Sequence, residues 1–532
     1  MRNKFLTILA CTAILTGCSD AYEIEQPGYV TEENLVFSTA DDINRGIQGL
    51  YATLPGESEI NFTSYFTDEL GVGIGNSGQG INDGSYTFVL QAGNSFANSI
   101  WTNYYNVINR INRMDSRAQE LIAAGNQSVT ELAKLEQSRS RLLALRAYCH
   151  YKLFAYFTPN YNDPNGLSII KFDFLQIEDY SRFENRATVA EIVEFIEQDI
   201  ADSKSLGGPG IEDTGYINNW ALEAILIKLY SMVQTPEAYA KLGEAFTRLT
   251  TGESPKAIGD YGEYAGMFSG SSVNGNEAIF RLIRKSSEGN SQSGVASAWY
   301  SNGLTSSSNI VYMEMGRSLY NELDKLDPSK QGEVRTGNDR SDVRYNLNVY
   351  DESNVDTNYQ NLPLDQYYNN DVLLIGKYTG IDDRPNMNDI WLFRTTDLYL
   401  AYAEKLAHDG LTTGTVAIGN YDNVESIIYN IRANRNAFGT MEPASMPSDF
   451  STKQAAYARI LEERRIEFAF EGHRYLDVKR LGKLANQGFI RDAMDCQSTG
   501  ACELEPTSFK LTLPIPRSEV ISNPNIIQND GY

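Results

Sequence analysis

The sequence predicts a mainly α-helical protein in which a scaffold of helix pairs is interrupted by a large, loop-rich, irregular insertion. Apolar residues recur at helical spacing through the first and last thirds of the chain, whereas between about 250 and 385 that period fades into Gly, Ser, Asn, Asp and Tyr. Composition agrees. The 532 residues are 42% hydrophobic and include 33 Tyr and 42 Gly, which suits a folded protein with aromatic-rich loops and not a disordered chain.

The first helix is expected from Asp41 to Leu54, where Ile43, Ile47, Leu50 and Tyr51 share a face and Pro55-Gly56 ends the run. A polar, glycine-rich stretch from Gly71 to Gly84 reads as a surface loop. Segments 96–116 and 130–157 each carry one apolar face and form an expected antiparallel pair, the second breaking at Thr158-Pro159. Further helices are expected at 188–201, 217–231 and 236–249. The last two, joined by a four-residue turn into Pro236, resemble a tetratricopeptide-type hairpin. After the insertion, helices resume at 394–408, 422–436 and 454–481. Trp101, Trp220 and Trp391 stand in or beside these helices and are expected in the core.

The amino terminus reads as an export signal over residues 1–17, with Arg2 and Lys4 before an apolar run from Phe5 to Leu15. That run is shorter than the roughly twenty apolar residues a membrane-spanning helix needs. Leu15-Thr16-Gly17-Cys18 resembles a bacterial lipobox, which makes Cys18 the expected lipidation site and residues 18–40 a tether. Cys496 and Cys502 flank a short polar loop, and in an exported chain a disulfide between them is expected. Cys149, in an apolar helix, reads as a small buried hydrophobe.

The chain holds 45 Lys plus Arg against 69 Asp plus Glu, a formal charge of −24. That balance argues against nucleic acid as a partner and leaves neutral ligands such as sugars without electrostatic penalty. Three histidines assemble no zinc constellation, and neither a Gly-x-Ser-x-Gly elbow, a His-Glu-x-x-His pair nor a glycine-rich nucleotide loop occurs. No catalytic residue and no cofactor is expected. Asp382, Asp383, Asn386 and Asp389 could hold a structural calcium, although the EF-hand order is absent and a solvated acidic loop is the simpler reading. Glu463, Glu467 and Glu471, spaced i, i+4 and i+8, line one face of the expected last helix with Arg464 and Arg474 near enough to pair. A glycosidase would use two such carboxylates, but groups on consecutive turns seldom flank a substrate from opposite sides, so a structural ion network is the better reading.

Several motifs together resemble the SusD/RagB family of outer-membrane nutrient-binding lipoproteins of Bacteroidota: the lipobox at Cys18, Arg146-Ala147-Tyr148 followed by Leu153-Phe154, the run from Glu463 to Arg480, and the ending Leu513-Pro514-Ile515-Pro516 with Glu519, Asn523-Pro524 and Gln528 to Tyr532. The resemblance implies four tetratricopeptide-like helix pairs beside a loop-rich ligand region, a cell-surface position, and a TonB-dependent β-barrel transporter (SusC-like) as partner. The expected organisation is a helical scaffold with early binding loops over 41–250, an insertion over 251–390 and C-terminal helices with the family-typical ending over 391–532. The expected function is glycan capture at the outer membrane; a surface glycoside hydrolase and a protein-binding helical-repeat lipoprotein remain as alternatives. Sugar binding needs aromatic faces and short polar side chains. The candidates are Tyr65, Asp68, Asn76, Asn82 and Tyr86 in the early loops, and Trp299, Tyr300, Tyr367 and Tyr368 in the insertion.

Overall fold

A computed structural model describes residues 36–78, 80–175, 183–210, 213–284, 295, 311–333, 339–378, 380–381, 384–385, 387–439 and 446–532. Cys18, Trp299, Tyr300, Asp382, Asp383 and Asn386 lie outside the described residues.

Helices α1 (Ala40–Tyr51), α2 (Gly56–Phe66), α3 (Ser95–Ala123), α4 (Val129–Phe157), α5 (Val189–Ser205), α6 (Asn219–Val233) and α7 (Pro236–Thr251) build the first part of the scaffold. Each of these except α2 opens on a Ser, Thr or Asn whose side chain accepts a backbone N–H of the first turn; Thr39 and Thr188 form full capping boxes with Asp42 and Glu191. Caps of this kind are worth about 1 kcal/mol each. Neighbours in sequence pack as pairs, α3 on α4, α4 on α5 and α6 on α7. In this part of the scaffold one helix departs from expectation: Pro55 sits at the N-cap of α2, so the residue expected to stop the first helix also starts the second.

The glycine-rich stretch after α2 begins as a strand, β1 (Leu70–Val72). The insertion is a small mixed region: α8 (Tyr261–Ser269), β2 (Ala278–Leu282), β3 (Met313–Met315), α9 (Arg317–Asp324), α10 (Val343–Asn348), α11 (Leu364–Asn370), β4 (Gly380–Ile381), β5 (Arg384–Pro385) and β6 (Ile390–Arg394). Its strands close long loops. β3 pairs antiparallel with β1, Leu70 opposite Met315, and β6 returns to β2, Leu282 opposite Ile390. Trp391 and Trp101 are buried and Trp220 is partly buried against the same core.

Helices α12 (Thr395–Asp409), α13 (Val424–Arg435), α14 (Lys453–Glu467) and α15 (Arg474–Ala485) follow, with β7 (Phe489–Ile490), α16 (Ala493–Cys496), β8 (Glu503–Leu504) and α17 (Arg517–Ser522) toward the end. The helix expected over 454–481 is two helices. Phe470 and Gly472 take left-handed conformations, and a Cβ on Gly472 would lie 3.3 Å from the Ile60 Cα, so α2 occupies the space a continuing helix would cross. The turn leaves Glu471 free to bond sideways. Glu463 accepts Arg344 and Arg432 at 2.6 and 2.7 Å; Glu467 accepts Arg394 and Arg435 at 3.0 and 2.8 Å; Glu471 accepts Arg394 at 2.8 Å and Lys377 at 2.7 Å. The expected partners differ: Arg464 instead pairs with Asp397 and Asp477, and Arg474 with Asp68.

The C-terminal ending is a clamp on the α4 terminus. Leu513 N–H donates to the Tyr156 carbonyl at 3.0 Å, Asn529 donates to the carbonyls of Phe157 and Leu513, and Gln528 bonds both backbone groups of Ile515 at 2.7 Å.

Glu467 is the anion shared by three arginines with no water contact, and burial would raise its carboxyl, yet Arg435, Arg394 and Arg344 hold it down to about 2. A carboxyl depressed in the fold adds stability that is present above its unfolded value, about 4.3, and is lost as pH falls toward 2. Glu467→Ala leaves the guanidinium groups of Arg344, Arg394 and Arg435 without this partner and should cost about 3–5 kcal/mol in urea denaturation at pH 7. The deficit relative to the parent protein should narrow toward pH 3; an unchanged urea midpoint would contradict the network's structural role.

Candidate functional site

Three stretches distant in sequence meet on one side of the molecule: the loop after β1, the middle of the insertion and the loop between β7 and β8. The last is closed by a disulfide between Cys496 and Cys502, with Cα atoms 5.1 Å apart. Cys149 is a buried free thiol.

Arg491 fastens the first stretch to the third. Its guanidinium lies 3.8 Å from the Tyr86 ring centroid and 4.2 Å from that of Phe88, and it donates to the carbonyls of Thr67, Tyr65, Tyr86 and Ala501. A planar donor fork sandwiched by rings and satisfied by carbonyls is a role that lysine could not fill. Asp495 fastens the second. Its carboxylate accepts the Tyr367 hydroxyl at 3.0 Å and the Arg317 N–H at 2.7 Å, while its own carbonyl accepts the Tyr86 hydroxyl at 3.0 Å.

Four of the sequence candidates are therefore interior. Asp68, Tyr86 and Tyr367 are 1% exposed or less and Tyr65 is 9% exposed, so they act behind the surface and not as open contacts. The Tyr65 ring lies where a Cβ on Gly80, at φ +71°, would meet it at 2.3 Å, so it props the early turn. Asp68 holds Arg474 through two bonds of 2.9 Å and takes Arg465 by its carbonyl at 2.8 Å. Burial opposes ionisation of Asp68, but Arg465 and Arg474 hold its carboxyl well below the usual range. Acidic groups make poor open sugar ligands when already saturated by arginine; the sequence shows an Asp in a loop but not its partners four hundred residues away. Asn76 is half-buried and spends its amide on the Tyr312 carbonyl and the Gly78 N–H. Asn82 is exposed and Tyr368 half-buried, its ring 5.7 Å from that of Tyr367. Asp389, the described member of the acidic spot, pairs with Arg281 and accepts the Arg284 N–H at 3.0 Å.

Beside this junction runs an open groove of about 360 Å³, lined by Asn321, Lys325, Gln331, Arg465, Ile490 and Asp492 among others. The Tyr359 hydroxyl donates to Asp492 at 2.8 Å and accepts Asn321 at 3.3 Å, which joins the groove wall to the Tyr359, Tyr367 and Tyr368 rings. None of Asn321, Gln331, Tyr359 or Asp492 stood out in the sequence. The Asp492-Ala-Met-Asp495-Cys496 run beside the cysteine pair was the available signal.

A sequence profile described as the SusD family matches residues 270–532, and one described as starch-binding associating with outer membrane matches residues 29–230. The chain belongs to the SusD family. It is 24% identical, over the whole of both chains, to SusD-like protein P2 of Formosa agariphila. Its fold matches a SusD superfamily protein of Bacteroides thetaiotaomicron at a TM-score of 0.71 and 23% identity, covering 92% of this chain and 99% of the other. The B. fragilis protein NanU matches at a TM-score of 0.65 and 16% identity, covering 95% and 99%. Like the fold of those proteins, the SusD fold here is mainly helical with loop-rich regions. No helix among the described residues is long and apolar enough to cross a membrane.

At this junction Asp495 is the titratable pin. Burial pushes its carboxyl up to about 7, against the Arg317 N–H bond. A group whose folded value lies above its unfolded one, about 3.9, binds an extra proton in the fold, so its contribution to stability falls as pH rises from 4 to 7. Asp495→Asn, which cannot titrate, should gain stability relative to the parent across that range by on the order of 1 kcal/mol or more, read as the difference in thermal midpoints at pH 4.5 and 8. A constant difference would contradict the assignment.

Proposed function

We propose that this protein is a lipid-anchored, cell-surface glycan-binding member of its family, which captures an oligosaccharide and passes it to a TonB-dependent β-barrel in the outer membrane. The observation that carries the reading is the junction of the early loop, the insertion and the disulfide loop at Arg491 and Asp495, beside a groove lined by Ser318, Asn321 and Gln331 together with charged side chains and bordered, through Asp492, by the rings of Tyr359, Tyr367 and Tyr368. Such a surface can hydrogen-bond sugar hydroxyls while a ring face covers the apolar side of a pyranose. Membership of the family and the description of the amino-terminal profile support it. The net charge of −24 suits a neutral glycan better than a strongly acidic one for this main groove.

Binding takes place without chemistry. Glu463, Glu467 and Glu471, the carboxylates a glycosidase would recruit, are buried and each is bonded to arginine or lysine. The contacts we assign to the ligand are Gln331 and Asn321 in the groove, Tyr368 at its aromatic edge, and Asn82 on the early loop; Asn76, its amide already engaged, shapes that loop from behind, and Trp299 and Tyr300 remain candidates from the sequence. Lipidation at Cys18 supplies the membrane attachment.

Calorimetry of the chain against soluble starch, xylan, mannan and β-glucan tests this. At least one polysaccharide should bind, and Gln331→Ala and Tyr368→Ala should each weaken it about fivefold or more, near 1 kcal/mol. Unaltered affinity in both variants would remove the ligand from this groove. No response to any polysaccharide would overturn the glycan assignment.

A further inference from the structure

A second cavity, of about 280 Å³, lies within the helical scaffold between α1, α4 and the loop leading into α6. It shares no lining residue with the groove described above. Its walls include Gln48 and Tyr51 of α1, Gln137 and Arg141 of α4, and Asp213 and Tyr216 of the loop.

Arg344, Arg394, Arg435 and Arg464 each meet a carboxylate, whereas Arg141 has none among the described residues and spends only its Nε, on the Pro209 carbonyl at 3.3 Å. Two other arginines without a carboxylate among the described residues, Arg186 and Arg491, spend all three guanidinium nitrogens on backbone carbonyls. The two terminal nitrogens of Arg141, in contrast, face the cavity without a partner among the described residues, and they present the planar fork that pairs with a carboxylate. Gln48 and Gln137 are exposed on adjacent helices and bond no other group among the described residues. Asp213 accepts the Gly215 N–H at 2.7 Å through one oxygen, which leaves the other for a donor. Tyr216 packs edge-on to the buried Tyr51 at 5.1 Å, so a ring supported from behind stands at the wall. One cationic fork, three hydrogen-bonding side chains and one supported aromatic ring surround a volume just below the about 300–1,000 Å³ of pockets for drug-sized ligands. That is space for one sugar ring and not for a chain.

We infer that this cavity is a second carbohydrate site that takes a single uronic acid unit. The carboxylate lies on the Arg141 guanidinium, the hydroxyls on Gln48, Gln137 and Asp213, and an apolar edge of the ring on Tyr216. Arginine recognises a carboxylate by two parallel bonds, which gives the site its preference for an acidic over a neutral sugar. The inference is independent of the ligand assigned to the main groove.

Saturation-transfer NMR titration of the full chain with D-galacturonate and with D-galactose tests it, using Arg141→Gln, Gln137→Ala and the groove variant Gln331→Ala. Galacturonate should bind at millimolar concentration and at least tenfold more tightly than galactose. Arg141→Gln should abolish that ratio. Gln137→Ala, an exposed change that the fold tolerates, should weaken galacturonate about threefold or more, and Gln331→Ala should leave it unchanged. The inference is overturned if neither sugar saturates, if the two bind alike, if Arg141→Gln preserves the ratio, or if Gln137→Ala has no effect.

Discussion

Glu467 lies at the centre of a buried lattice in which acidic side chains from the end of α14 and the following turn bind arginines contributed by the insertion and the C-terminal helices. Arg344 comes from α10, Arg394 from the last residue of β6 and Arg435 from the end of α13. The lattice therefore adds to apolar packing in the insertion, whose Tyr264, Phe280, Leu319 and Tyr345 already join the main core, by fixing its arrangement against the C-terminal helices. Replacing such a lattice by apolar side chains can leave stability unchanged, but removing one member strands the others. What it supplies is a single arrangement, because each guanidinium meets its carboxylates in one geometry only.

The proposed binding face, made of loops, needs that support. The early loop is tied twice, by β1 to β3 and by Arg491 to the disulfide loop. The insertion is tied by Asp495 and by Arg317, whose guanidinium also reaches Asp371. Residues with the residue types of sugar ligands, Asp68, Tyr86 and Tyr367, are spent on these ties. The exposed amides and the half-buried Tyr368 are then presented on a surface that need not reorganise to bind, which limits the ordering cost that mobile loops would add.

The scaffold was legible in the sequence because amphipathic helices announce themselves by local period, and α3 to α7, α12 and α13 fall within a few residues of the expected segments. The departures have long-range causes. The period through 454–481 runs unbroken, but Ile60 of α2 occupies the path at Gly472 and the pairing of Glu471 with Lys377 and Arg394 rewards the turn. α2 was missed because Pro55 is read as a stop, although proline is equally at home where a helix begins. Within the site, loop position suggested exposure for Asp68 and Tyr86; their burial depends on Arg474, Arg491 and Asp495, whose distance in sequence no local pattern conveys. The acidic run from Glu463 reads as a network, and its partners are not legible because all five, Arg344, Lys377, Arg394, Arg432 and Arg435, lie outside that run.

The central claim is that the early loop, the insertion and the groove form one ligand surface on a fixed scaffold. Hydrogen exchange of the full chain, with and without a saturating soluble polysaccharide, reads that surface directly. The account predicts protection at 74–89, 318–331 and 359–370 together, with little change in α5 and α7; protection confined to the helix pairs, with none in those three stretches, would contradict it.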